Sequence, residues 1–182
     1  MECYIGRMRV IGIAGWSGAG KTTLLTKLIP RLVERGILVS TIKHAHHGFD
    51  VDQKGKDSHT HRMAGATEVL VSSANRWALV HELRGSVEPA LDALLPKLAP
   101  VDLVIVEGFK RASLPKLEIY RESVGKPLLH PEDPNIVAIA SDRPLPSARV
   151  PVLAIDDVDA ILETMLARAA PVAMPNERAG SG

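Results

Sequence analysis

Cys3 is the only thiol in the 182-residue chain, which excludes an internal disulfide and a zinc centre built from thiolates. Aromatic residues are scarce: two Trp, two Tyr and two Phe, in a sequence that is 46% hydrophobic. The core must therefore be aliphatic, as in α/β proteins with buried parallel strands. Neither sign of charge dominates, with 22 Lys and Arg against 21 Asp and Glu, so nothing marks a nucleic-acid or membrane-surface binder. No apolar run reaches the roughly 18 residues that a bilayer span requires. The opening MECYIGRM lacks the apolar core of a signal peptide. These absences predict a soluble cytoplasmic protein, large enough to bury one core unaided. Residues 9–169 read as one domain, 1–8 as an N-terminal extension, and the Pro/Gly/Ser-rich 170–182 as a disordered tail.

Strands and helices alternate along the domain. Apolar runs at 10–14, 37–42, 103–106, 116–120, 136–140 and 152–155 predict strands, and 68–73 with 77–81 predict a hairpin. Helical spacing appears at 21–35 before Gly36, at 86–98 with Val87, Leu91, Leu94 and Leu95 on one face, and at 157–168; Asp57 or Ser58 would cap a short helix ending near Gly65. The pattern predicts an α/β fold: a mainly parallel sheet flanked by helices, with a β-hairpin extension.

GWSGAGKT, residues 15–22, satisfies G-x-x-x-x-G-K-[ST] between a predicted strand and a predicted helix, the context a P-loop requires. Gly15, Gly18 and Gly20 let the backbone curl with its amides inward, around Ala19, to hold phosphate oxygens at the helix start formed by Thr22 and Thr23. Lys21 supplies a point charge to the β- and γ-phosphates, and the Thr22 hydroxyl is placed to ligate Mg²⁺. An acid is then expected at a neighbouring strand end, and Glu107 follows LVIV; in open α/β sheets those ends face the ligand crevice.

Residues 44–61, HAHHGFDVDQKGKDSHTH, hold five of the seven histidines. The segment leaves the second strand on the P-loop rim, and its polarity and length suit a functional loop. Asp50, Asp52 and Asp57 are placed in it to reach Mg²⁺ or to orient an attacking water, in the manner of nucleotide-ordered switch segments. A transition-metal site is less well supported: His59 and His61 point about 200° apart on a helix, and no histidine pair has i, i+4 spacing. After the strand at 136–140, Asp142 is placed to accept both N1–H and N2–H₂ of guanine, which adenine cannot match. No arginine or glutamine is identifiable as a transition-state group, so hydrolysis should be slow.

The P-loop, the block TIKHAHHGFDVDQKGKDSHTHRMAGA, LVIVEGFK, LPKLEIYR and IVAIASD together resemble the molybdopterin-guanine dinucleotide biosynthesis protein B family, from residue 9 to residue 167. The resemblance implies a P-loop NTPase-type fold similar to that of dethiobiotin synthetase. It implies a homodimer that binds GTP and Mg²⁺, hydrolyses GTP slowly, and assists the nucleotidyltransferase that joins GMP to molybdopterin. Carried over, Gly15, Gly18, Gly20, Lys21 and Thr22 bind phosphates and Mg²⁺, and Asp50, Asp57 and Glu107 surround the metal. Lys43, His44, Lys110, Lys116 and Glu118 line the crevice used by the pterin, in free or molybdenum-bearing form, or by the partner. His46, His59 and His61 have no part in the pattern. Trp16 stands where some dimeric relatives carry a signature lysine. Two other readings are an ATP-dependent small-molecule kinase or ligase and a metal-delivery GTPase.

Overall fold

The computed structural model describes residues 8–45 and 48–172; the expectations for Cys3, His46, His47 and the tail beyond 172 fall outside them. In chain order the elements are β1 Arg9–Ala14, α1 Lys21–Glu34, β2 Val39–Lys43, α2 Asp57–Met63, β3 Glu68–Ser72, β4 Trp77–His81, α3 Leu91–Leu94, β5 Leu103–Glu107, β6 Lys116–Tyr120, β7 Ile136–Ser141, β8 Val152–Ala154, α4 Val158–Arg168 and β9 Ala170–Pro171. The chain divides into two compact units, Met1–His44 with Leu94–Gly182, and Ala45–Ala93.

The larger unit is built on a seven-stranded sheet in the order β2-β5-β1-β6-β7-β8, parallel along that path, with β9 antiparallel to the start of β1. Ala170–Pro171 thus forms a strand where the composition predicted disorder. Strand alternation sends Ile11, Ile13, Leu103, Ile105, Leu117 and Ile119 to one face, where they pack on Leu24, Leu28 and Leu32 of α1 and Ile161, Leu162 and Met165 of α4. This is the aliphatic core that the scarcity of aromatics required. Burying each such side chain contributes about 1.5–3 kcal/mol. Asp157 caps α4, its carboxylate accepting from Ala160 N at 3.0 Å.

In the smaller unit, β3 and β4 pair as a hairpin with Leu70 opposite Leu79 and Val69 opposite Val80, as the two apolar runs predicted. α2 begins at Asp57, also as predicted. The helix expected over 86–98 is not formed. Only Leu91–Leu94 is α-helical, a 3₁₀ turn follows at Leu95–Lys97, and Val87 is exposed. Pro89 and Pro96 lie inside that span; each removes a backbone donor, and Pro89 also drives Glu88 out of helical geometry.

Candidate functional site

Parallel strands bring the carboxyl ends of β1, β2, β5, β6 and β7 to one rim, where ligands bind in open α/β sheets. Residues 15–20 leave β1 there and turn directly into α1. Gly15, Gly18 and Gly20 all have positive φ (141°, 84° and 94°), a region that side chains rarely adopt. Position 15 is also closed by space, and position 20 is tight. A Cβ at position 15 would lie 2.6 Å from the Ile119 carbonyl oxygen, and one at position 20 would lie 3.2 Å from Arg121 Nε. Ala19 is buried beneath the loop. α1 starts at Lys21 with no side-chain cap and no acid in its first turn, so its first amides are left for a ligand. Thr22 and Thr23 are exposed on that turn.

Lys21 Nζ donates to the carbonyls of Gly15 at 2.9 Å and Trp16 at 3.1 Å, folding the side chain back across the loop. Burial pulls its pKa below the ordinary lysine value, Glu107 opposes that shift, and Lys110 and Lys43 add to it. Lys43 closes on the Glu107 carboxylate at 3.7 Å. Lys21 thus feels two other cations, Lys43 and Lys110, against one carboxylate, Glu107, a surplus of positive charge at the mouth of the glycine loop. His44 follows β2; its amide donates to Glu107 O at 2.8 Å, and its ring lies 4.9 Å from that of Phe109. This packing is tight: a Cβ on Gly108 would meet His44 Cβ at 2.5 Å, and Phe109 takes a left-handed φ of 34°. Trp16 donates its indole N–H to Pro127 O at 2.8 Å, with Lys110 and Lys126 Nζ at 5.8 and 5.9 Å from its ring.

Further along the rim, Asp142 Oδ1 accepts from Glu122 N at 3.1 Å. Ser141 to Pro146 and Val152 to Ala154 line a cavity of about 470 Å³, within the size range of small-molecule sites.

Two sequence expectations are corrected. Lys116 and Glu118 were placed on the crevice wall, and both are buried. Lys116 Nζ donates to Asp133 Oδ2 at 2.7 Å and to Lys110 O at 2.8 Å. Glu118 accepts the amides of Leu129 at 2.7 Å and His130 at 2.9 Å; burial raises its pKa, and those two donors hold the rise in check. These side chains anchor the segment after β6 to the sheet. Asp50, expected at the metal, lies in the Ala45–Ala93 unit, where its carboxylate accepts from Arg62 Nη2 at 2.8 and 3.1 Å and from Asp52 N at 2.9 Å. That last bond, then the guanidinium, hold it below the usual carboxylate range. Arg62 also pairs with Asp52 at 3.1 Å and Glu82 at 2.8 Å. The two aspartates and the arginine of that block thus form a brace inside the small unit. Asp57 opens α2 there. Among the described residues, no three His, Cys, Asp or Glu side chains gather as a metal site would.

Arg121, Asp133 and Lys126 were not anticipated as partners of the site. The strand-end rule that found Glu107 after β5 and Asp142 after β7 points equally to Arg121 after β6.

Comparison with known proteins agrees with this architecture. A family model described as molybdopterin guanine dinucleotide synthesis protein B matches residues 10–142. The chain is 43% identical over 160 residues to the molybdopterin-guanine dinucleotide biosynthesis adapter protein of Escherichia coli K12, covering 85% of this chain and 89% of that one. It is 45% identical over 139 residues to the protein of the same name from Haemophilus influenzae, covering 75% and 76%. A crystal structure of molybdopterin-guanine biosynthesis protein B superposes with a TM-score of 0.66 at 27% identity, over 87% of this chain and 98% of the other. A glycine loop between β1 and α1, an acid at the end of β5 and sequence identity over most of its length place this chain in the molybdopterin-guanine dinucleotide synthesis protein B family.

Proposed function

We propose that the protein is a GTP-binding adapter in molybdopterin-guanine dinucleotide biosynthesis, a slow GTPase that assists the nucleotidyltransferase attaching GMP to molybdopterin. The curated relatives named as adapter proteins in that biosynthesis support the pathway. The observation that carries nucleotide binding is the mouth of the glycine loop, where Lys21 has Lys43 and Lys110 about it as cations and Glu107 as the opposing carboxylate. A polyphosphate satisfies that surplus of charge, with the loop and first-turn amides of α1 as its cradle.

Thr22 and Glu107 offer hard oxygen donors of the kind Mg²⁺ takes, and they would hold it; the ion supplies neutralisation of charge on the β- and γ-phosphate oxygens. Lys21 neutralises the same phosphates and exchanges its two carbonyl partners for them. Asp142 selects guanine. Its Oδ1 bond to Glu122 N leaves lone pairs for the N1–H and N2–H₂ donors, since a carboxylate has about four acceptor sites. Lys43, His44 and Lys110 form the crevice wall for the pterin or the partner. The protein works in the cytoplasm as a homodimer. Turnover is slow, on the order of 10⁻⁴ to 10⁻² per second, as in switch GTPases.

The test is calorimetric titration with GTP and then ATP, each with Mg²⁺, in buffer free of transition metals. A preference for GTP of about tenfold, 1.4 kcal/mol, that shrinks in Asp142→Asn supports the reading. A preference for ATP, or binding that requires added Ni²⁺ or Zn²⁺, transfers the chain to a kinase-like or metal-delivery function.

A further inference from the structure

Arg121 directly follows β6, on the rim that carries the glycine loop. Its guanidinium lies against that loop: a Cβ on Gly20 would stand 3.2 Å from Nε and 3.7 Å from Nη2. The side chain is half-buried, and among the described residues its guanidinium has no hydrogen bond or ion pair. A sheltered guanidinium is normally spent on several acceptors, because it carries five donors in a rigid fork and costs free energy when left unpaired. Arg62, Arg84 and Arg143 all have such acceptors.

The next residue adds a direction. Glu122 N is bonded to Asp142 at 3.1 Å, and the Glu122 side chain pairs with Arg143 at 2.8 Å. Arg121 therefore touches the glycine loop while its neighbour is tied to Asp142, at the lip of the 470 Å³ cavity. Of a nucleotide's phosphates, the loop amides cradle α and β while the P-loop lysine reaches β and γ. The phosphate on the base side of the cradle is the α-phosphate. We propose that Arg121 is a nucleotide-binding residue that contacts the α-phosphate of the bound guanine nucleotide, which rests on the P-loop reading above. A Cβ at position 20, already disfavoured by a φ of 94°, would also crowd the guanidinium.

The experiment uses the full chain and the variants Arg121→Gln and Arg121→Lys, titrated with GDP and with GTP in the presence of Mg²⁺. Melting temperatures are recorded without ligand and with GDP. Arg121→Gln is expected to weaken GDP and GTP alike, by about tenfold or 1.4 kcal/mol, with Arg121→Lys between it and the wild type. The ligand-free melting temperature stays unchanged, because the guanidinium has no partner to lose among the described residues, while the GDP-induced rise shrinks. The proposal is overturned by GDP and GTP affinities within twofold of wild type, or by a loss confined to GTP. A ligand-free melting temperature lowered as much as the GDP-induced rise also overturns it. If the wild-type chain binds neither nucleotide, the P-loop reading itself fails, and this inference with it.

Discussion

Asp133→Asn separates a buried support from a crevice residue. Lys116 is 4% exposed and Asp133 23%, with Nζ and Oδ2 2.7 Å apart. Removing one member of a buried ion pair costs about 3–5 kcal/mol, because the other charge stays behind uncompensated. Asp133 retains some solvent contact and Lys116 keeps the Lys110 carbonyl at 2.8 Å, so the lower end applies, about 3 kcal/mol. In a chain of this size 1 kcal/mol moves the melting temperature by about 2–4 °C; the variant should therefore melt roughly 6–12 °C below wild type at pH 7. Lys116→Met keeps an unbranched stem beside Gly12 and leaves Asp133 its two Asn135 donors at 2.9 Å, so it should cost less, about 1 kcal/mol.

The pH dependence follows from the same pair. Burial pulls the Asp133 carboxyl up, but Lys116 and Asn135 outweigh it and hold the group below its ordinary value of 3.8. A depressed folded-state value means that the ionised carboxylate contributes its full stabilisation above the unfolded value and loses it as pH falls through the folded one. The gap between wild type and Asp133→Asn should be full at neutral pH and close only in acid below that value. Urea unfolding at a descending series of pH values measures it. A loss under 1 kcal/mol at pH 7, or a greater loss for Lys116→Met than for Asp133→Asn, would refute the burial argument and return Lys116 to the crevice wall.

Lys21→Ala should abolish GTP binding in calorimetry while the ligand-free melting temperature holds, since Nζ is bonded only to loop carbonyls; normal GTP affinity would remove the P-loop assignment. In wild type the lowered Lys21 value means that the charged form, which binds phosphate, is already half lost at a pH below 10.5. Affinity should therefore fall as pH rises within that window and stay level in Lys21→Arg. Gly15→Ala adds a Cβ 2.6 Å from the Ile119 carbonyl at a φ of 141°, costing about 1–3 kcal/mol of strain and displacing the loop. GTP affinity and stability should drop together, and an unaltered variant would show that β6 yields to the methyl group.

The elements around the site were legible because each carries a local signal. The glycine spacing of 15–20 states the loop, the run at 103–106 states a strand buried on both faces, and the strand-end rule locates Glu107 and Asp142. The misread residues depend on partners elsewhere in the chain. Lys116-Leu-Glu-Ile alternates polar and apolar residues as a half-exposed strand would. Whether the polar face is exposed is decided by Asp133 and by the amides of Leu129 and His130, from 11 to 17 residues downstream. Likewise the spacing around Asp50 does not announce its bond to Arg62, 12 residues away. The amphipathic stripe at 86–98 is a true period, interrupted by prolines that periodicity alone does not weigh.

Charge satisfaction separates the two kinds of polar residue better than sequence pattern does. Lys116 has its acid at 2.7 Å, and Arg62 has acids at 2.8, 3.1 and 2.8 Å; these cations are already compensated, and an incoming anion would gain little from them. At the rim the balance is reversed. Lys21 hydrogen-bonds to two loop carbonyls and feels Glu107, Lys43 meets Glu107 only at 3.7 Å, Lys110 and Lys126 rest over the Trp16 ring, and among the described residues the Arg121 guanidinium has no hydrogen bond or ion pair. The low-dielectric wall of the sheet strengthens whatever interaction completes these groups. A ligand that brings several negative charges along the line from Lys21 past Arg121 toward Asp142 therefore gains from cations that this rim leaves uncompensated.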